Sequence, residues 1–508
     1  MSRELIDVQF QDNSNYVDSV TTDTLGSVIS ASWGPKEKLV TVNLTQFLSM
    51  FPAESNPHES WIRVRRAFDG GIGSAELYRT ADNYVYQGAT LKATGASPDT
   101  VYSLEAVSNA VIPTPDYFTV YSKYQGNFPV SSPKIQVVWS TVDGEAVIGL
   151  ALYSGDNLVE MVEGTLVPGQ IVDGQNVYIG DVVTNSSSYF NFVVKDPAAL
   201  ATIVKAKEQT LELVITPQSP EEVESQEDAV AALYPSVFGD FTTSAATILV
   251  PWSNDSGVVA SVINTAEAAC DRVALIGYDT TKQFTKAEIT SAYQTMPKAM
   301  FAAFYAAREA VNVNISQIPA DGIGTIAGRL AAVADSDSVN QLPSSYSYGA
   351  FPGTLLNSVS FSDAIAFQAE GINTVISSTE GPMIYGIKSM YSRQSSYFAK
   401  FNCMRVIARI LQSTFPLLMT VHHTPNTVRK RSSIQTNRQT FLATLIAQDA
   451  LKADSLAICN DTNNTPSATN DGEILILDFN LGFVNLIQRF LVRVIANEAG
   501  ISANVTIQ

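Results

Sequence analysis

The sequence predicts a multi-domain α/β protein (mixed α+β) with a β-rich insertion and a lone β-strand at each end. Three observations lead there. In the flanking regions, strand-like runs alternate with helix-period stretches, the order a βαβ sheet requires. Between them, from about residue 86 to 216, helical periodicity gives way to strand-like runs separated by Gly, Asp, Asn and Pro. At both ends the residues alternate with period two. Ile6, Val8 and Phe10 are spaced by Asp7 and Gln9, and Ile501, Ala503, Val505 and Ile507 are spaced by Ser502, Asn504 and Thr506. Such a strand has one apolar face, and a chain end frays unless something holds it. Each end therefore wants a sheet edge, in its own domain or on a neighbouring molecule.

Taken in order, residues 11–24 are a polar run that reads as a linker. Residues 27–33 and 39–42 read as strands, with Gly34-Pro35 ending the first. Asn43 or Thr45 suits the cap of a short helix through Phe51, and a helix from about Glu59 ends at Gly70-Gly71. Residues 75–78 return as a strand, a small βαβ-like unit. In the insertion, IQVVW (135–139) and AVIGLALY (146–153) are the clearest strands, and the whole segment is expected to be all β. Two prolines and five carboxylates then mark an acidic linker. TILVPW (247–252) and RVALIGYD (272–279) are near-continuous apolar strands around a helix-period stretch, which suggests parallel pairing. FAAFYAA (301–307) reads as a strand, although its alanines also permit a helix. Beyond Gly371, a strand at TVISS precedes helices over 397–411 and 440–451 and two strands, EILILDFN and NLIQRFLVRVIA.

A chain of 508 residues has room for about three domains. Its hydrophobic fraction of 45% and charged fraction of 16% fit packed structure. The net charge of −18 argues against nucleic-acid binding as the main role, because phosphates call for a basic surface. Cys270, Cys403 and Cys459 are an odd set without metal spacing, as expected of core residues in a reducing compartment. No signal-peptide core and no apolar run of about 18 residues is present. The expectation is a protein made and folded in cytoplasm.

Catalytic chemistry is hard to find. The histidines are His58, His422 and His423, and no carboxylate or cysteine stands at ligand spacing near the adjacent pair. There is no G-x-S-x-G elbow and no phosphate-loop lysine motif. Gly322, Gly324 and Ala327 match G-x-G-x-x-A, but Pro319-Ala320-Asp321 stands between them and the apolar run. A glycine-rich turn opening a helix explains them better than a dinucleotide site. No catalytic residue, cofactor or metal is expected. One basic patch stands out: Arg405, Arg409, Arg429, Lys430, Arg431 and Arg438 fall in residues 401–450, opposed only by Asp449. Arg405 and Arg409 are one helical turn apart, with Lys400 nearby. This is either a docking surface for an acidic partner or an ordinary solvated face.

Four segments, in this order, resemble the contractile tail sheath proteins of myophages and related injection machines. They are VISASWGPKEKLVTVNLTQFLSMFP with FDGGIGSAELYR; SKYQGNFPVSSPKIQVV with LVEMVEG; FAAFYAAREAVNVNISQIPADGIGTIAGRLAAVADSD; and GINTVISSTEGPMIYGIKSM through the Arg405/Arg409 helix to FLATLIAQDAL and ICNDTNN. Together they span most of the chain as loose patterns. The second departs from the family's usual Pro-Gly-Thr-Trp-Gly-Asn run at Gln125 and after Asn127. In the third, residues 308–313 replace a more usual Tyr-Pro-Trp stretch.

The resemblance implies a sheath-type core of α/β domains. Its divisions are an arm and linker (1–24), a first core part (25–85), the inserted β-rich domain (86–216), the acidic linker (217–229), the main sheath domain (230–370), a C-terminal sheath domain (371–496) and a C-terminal arm strand (497–508). It implies that Ile6, Val8 and Phe10, and Ile501, Ala503, Val505 and Ile507, add strands to neighbouring subunits. Lys400, Arg405, Arg409, Arg429, Lys430 and Arg431 would face an inner tube. Implied partners are copies of the chain in rings and a helical polymer, the inner tail tube protein, and baseplate and tail terminator proteins, with no nucleic acid or direct membrane contact. The place implied is the virion tail, assembled in the host bacterial cytoplasm. Contraction would draw on contact energy between subunits and need no nucleotide.

Overall fold

In the computed structural model the described residues are 22–54, 57–80, 84–95, 100–112, 114–218, 226–313, 316–469, 473–486, 490–497 and 500–507, the last two ranges by their backbone. The expected strand at Ile6, Val8 and Phe10 lies outside them. The first described strand is β1 (Thr24–Ser30), three residues ahead of the expected start. β2 (Leu39–Val42) leads into α1 (Leu44–Met50), where Asn43 and Gln46 close a reciprocal capping box. His58 caps α2 (Glu59–Gly70), which Gly71 stops at φ 115°. β3 (Ser74–Thr80) runs parallel to β1, with β2 antiparallel on its outer side.

The insertion holds β4 (Tyr86–Thr94), β5 (Val101–Asn109), β6 (Phe118–Ser122), β7 (Pro133–Val142), β8 (Glu145–Ser154) and β9 (Asn157–Thr165). A small hairpin follows, β10 (Ile171–Val172) with β11 (Gln175–Asn176), then α3 (Ile179–Ser186), β12 (Phe190–Val194), α4 (Pro197–Ala206) and β13 (Gln209–Val214). Two helices correct the all-β expectation. α4 has a sound start, with Asp196 accepting from the amides of Ala198 and Ala199 and Pro197 at the first helical position. It buries Leu200 and Val204, one turn apart. The strands form two antiparallel sheets, β12-β6-β4-β5 and β13-β7-β8-β9, and α3 packs against β9 and β12. Trp139, Ile148, Leu150, Phe118 and Phe190 fill the shared core.

Beyond the insertion come α5 (Gln226–Phe238), β14 (Ile248–Leu249), α6 (Ser256–Ala269), β15 (Val273–Gly277), α7 (Lys286–Thr295), β16 (Ala302–Ala306), β17 (Glu309–Val313), β18 (Ser316–Ala320), α8 (Ile323–Ser336), β19 (Thr354–Leu355), α9 (Phe361–Glu370), β20 (Asn373–Ser378) and β21 (Gly381–Tyr385). α5 begins inside the segment read as acidic linker. Residues 302–306 resolve as strand, and their alanines suit a sheet interior crossed by helices on both faces. One eight-stranded sheet runs β2-β3-β1-β14-β15-β16-β20-β21, parallel from β3 through β20. It crosses the proposed division at residue 370, because β20 and β21 complete the main sheet rather than start a new one. Buried residues of β1, β14, β15 and β16 meet α2, α5, α6, α8 and α10 in a single apolar core.

The C-terminal part opens with a 3₁₀ turn (Tyr397–Ala399) and α10 (Phe401–Val421), which runs ten residues past the expected end and through Pro416. α11 (Val428–Ala447) starts twelve residues earlier than expected. Its first turns are polar, so apolar spacing marks only its second half. β22 (Leu456–Ile458) pairs with β23 (Asp478–Asn480), which is all that becomes strand in EILILDFN. β24 (Phe490–Asn497) pairs with β25 (Gly500–Ile507).

Arg79 of β3 joins core and insertion. Buried, it donates to the backbone carbonyls of Ala31 at 2.7 Å, Gly34 at 2.5 Å and Gln125 at 2.8 Å. Burial pulls its guanidinium down to about 10. Trp33, beyond the end of β1, packs into the insertion's core against Tyr124, Phe128 and Tyr189.

Candidate functional site

The sheet has a switch point between β1 and β14, since the chain winds to β3 on one side and to β15 on the other. Open α/β sheets bind ligands at the strand ends there. Here the place is filled from within. Arg63 of α2 donates to Asp321 at 2.7 and 3.0 Å, to Glu59 at 2.9 Å and to the Pro251 carbonyl at 2.7 Å. Trp252 donates to Ser30 Oγ and stacks on His58 at 4.3 Å. Burial, then Arg63, lowers the His58 pKa to about 4.

Gly322 opens α8 in the left-handed conformation, φ 70°. The strand before it, β18, is antiparallel to β17 in a separate three-stranded sheet, not a parallel strand feeding a dinucleotide loop. Gly324 and Gly328 serve packing. A Cβ on either would lie 2.1 Å from a carbonyl oxygen of α2, Arg63 O or Ala67 O respectively. Among the described residues, no group of three or more His, Cys, Asp or Glu is placed to hold a metal ion. No helix of the described residues is long and apolar enough to cross a membrane.

The basic patch divides. Arg405 and Arg409 share a helix face, as their spacing predicts, but that face points inward. They are 3% and 7% exposed, so their reading as a tube-facing surface is corrected. Both grip Asp23, just ahead of β1: Arg405 Nη2 at 2.5 Å and Arg409 Nη2 at 2.8 Å. Asp23 also accepts from Thr247 Oγ1 at 2.9 Å. Burial lowers the Arg405 pKa, Asp23 raises it, and the like charge of Arg409 adds to the fall. The paired charges are what makes burial of this carboxylate tenable. Arg438 is also buried, donating to Ser413 Oγ at 2.8 Å.

Lys400 stands directly before α10 without a side-chain capping hydrogen bond, and its ammonium donates to Asn485 Oδ1 at 2.7 Å above the ring of Tyr397. Arg431 pairs with Asp461. Arg429 is exposed and Lys430 half-buried in the first turn of α11, which carries no acidic residue. Cations at a helix N-terminus oppose the helix dipole, so this cluster is not explained by helix stability. It follows a turn holding His422 and His423, both exposed.

At the far end, β25 holds the predicted strand of Ile501, Ala503, Val505 and Ile507. Their register partners on β24 are Ala496, Val494, Val492 and Phe490. The four apolar positions of β25 are therefore registered against apolar positions of β24, while Leu491 and Ile495 stand opposite Thr506 and Ser502. This sheet contains two strands among the described residues, and a two-stranded hairpin is marginal without a third strand or a packed face. The sequence leaves the edge for this last strand open between its own domain and a neighbour; among the described residues it pairs with β24, within the strand expected at NLIQRFLVRVIA. Asp23 was missed. It sits in a polar run that looks like linker, and its only sequence signal is its place directly before an apolar strand.

No protein-family model matches the sequence, and no curated protein does. Solved structures do match by fold. A sheath tail protein from Desulfitobacterium hafniense is 12% identical, with 96% of this chain and 97% of that one covered at a TM-score of 0.57. A sheath tail protein from Listeria innocua is 13% identical, covering 96% and 94% at 0.58. The helical sheath of the anti-feeding prophage in its contracted state is 12% identical, covering 96% and 98% at 0.52. This chain has the fold of those sheath proteins over nearly its whole length.

Proposed function

We propose that this chain is the structural subunit of a contractile tail sheath. Copies stack as rings around an inner tube, linked by exchanged terminal strands, and contraction drives the tube through a host envelope. The observation that carries the reading is the terminal hairpin: two strands with four apolar pairs in register, on a chain whose fold is that of sheath proteins throughout. A hairpin of this kind is completed by a strand from a neighbour, and residues 1–10 carry the matching alternation. Each net main-chain hydrogen bond contributes about 1 kcal/mol, so one borrowed strand links subunits modestly and many copies link them firmly.

The tube-facing surface is reassigned to Arg429 and Lys430 at the start of α11, with Lys400 and Arg431 engaged within the subunit. A phage tail is the setting in which the subunit works, with baseplate and terminator proteins at its ends. The sheath of a related contractile injection system is the second reading, favoured by the fold match to the anti-feeding prophage. The test is negative-stain electron microscopy of the purified full chain beside a chain lacking residues 1–12 and 499–508. Hollow tubes or stacked rings from the full chain, lost on truncation, are expected. Polymers that survive truncation would overturn the exchanged-strand linkage.

A further inference from the structure

We propose that the N-terminal half of α10 is a bracket that ties the two arms of one subunit to each other. Lys400, directly before it, and three of its residues, Asn402, Arg405 and Arg409, reach the roots of both. Arg405 and Arg409 hold Asp23, where the N-terminal arm leaves β1. Lys400 holds Asn485, where the chain departs toward the terminal hairpin. Between these grips runs a buried polar path. Arg405 Nη1 donates to the Val339 carbonyl at 3.4 Å, and Asn402 donates to the neighbouring Asn340 Oδ1 at 2.7 Å. Asn340 in turn donates to the carbonyls of Val484 at 3.3 Å and Asp449 at 3.4 Å. Asp23, Asn340, Asn402 and Arg405 are each less than 5% exposed. Backbone bonds fasten the same C-terminal root, Lys452 N to Gly482 O at 2.7 Å and Val484 N to Ala450 O.

Buried polar groups are costly to leave unpaired, and Asn402 Oδ1 already lacks a hydrogen-bond partner among the described residues, so moving one member of the path strips a further bond from the next. The two roots therefore share one arrangement. A displacement at one root is passed through α10 to the other. The proposal rests on the arm reading above only for the word arm; the coupling between the two roots is a property of the single chain.

Amide hydrogen exchange of the full-length chain tests it. Asp23→Asn cuts the N-terminal grip and Asn340→Ala cuts the link to Val484. Val262→Ala, a cavity in the same core away from α10, gives the response to general loosening. The bracket predicts that Asp23→Asn speeds exchange at residues 482–485 at least about fivefold beyond Val262→Ala. Reciprocally, Asn340→Ala speeds exchange at 24–26. Exchange that rises only at the altered root, or no more than in Val262→Ala, would overturn it. Failure of the chain to form tubes in the microscope would sink the sheath reading and leave this result standing.

Discussion

Asp23 faces two guanidinium groups in the interior, and removing one partner of a buried ion pair costs far more than an exposed pair contributes. Asp23→Asn is expected to lower stability by about 3 kcal/mol, seen as a lower urea midpoint at unchanged slope. The double reversal Arg405→Glu/Arg409→Glu should fail as a folding defect in the isolated chain, before any tube is present. At His58 the folded pKa, about 4, lies below the ordinary 6.5. Its contribution to stability is complete above pH 6.5 and is lost as pH falls toward 4, because the unfolded chain binds the proton first. The ring nitrogen that accepts from Ser60 N must stay unprotonated. His58→Asn keeps a good cap and should recover about 2 kcal/mol of that acid loss, measured as the difference in urea midpoint between pH 7 and pH 4.5. The spacing of Arg405 and Arg409 was legible in the sequence, but not which way their face points. Direction depends on what packs against α10, and that partner lies almost 400 positions away.

Elements assemble here by close approach as much as by apolar burial. α2 and α8 touch through Gly70, Gly324 and Gly328, with backbone where side chains usually stand. Gly328→Ala gains helix propensity of about 1 kcal/mol and should nevertheless destabilise by about 2 kcal/mol net through overpacking, read as a fall in melting temperature. Glycines in a G-x-G-x-x-A pattern look alike in sequence whether they approach a phosphate or a helix, and only the partner element separates the two. The near-continuous apolar strands β14 and β15, the capped α1 and the glycine-stopped α2 were legible because local chemistry alone specifies them. α3, α4 and the first half of α11 were not. Their apolar stripes are short or interrupted, and the strands around α3 and α4 set the apparent period.

Across the whole molecule, a charge of −18 makes copies repel one another. Polymer formation at pH 7 is therefore expected to increase between about 0.02 and 0.3 M salt, as screening shortens that repulsion, with pelleted fraction in sedimentation as the measure. A decrease would mean that attraction between opposite charges dominates the contacts. The inserted domain has its own core and meets the sheet at Trp33 and at Arg79, whose guanidinium also lies 5.7 Å from the centre of the Tyr84 ring. The three acceptors of Arg79 are main-chain carbonyls, present whatever residues occupy positions 31 and 125. Two glycines there are constrained: a Cβ on Gly126 would lie 1.8 Å from the Ser32 carbonyl oxygen, and Gly34, at φ 113°, would place one 2.5 Å from the Phe51 ring. The arginine's part of the joint is thus indifferent to the side chains at positions 31 and 125. Substitution across the inserted domain is therefore compatible with an unchanged fitting as long as Trp33, Arg79, Gly34 and Gly126 are kept.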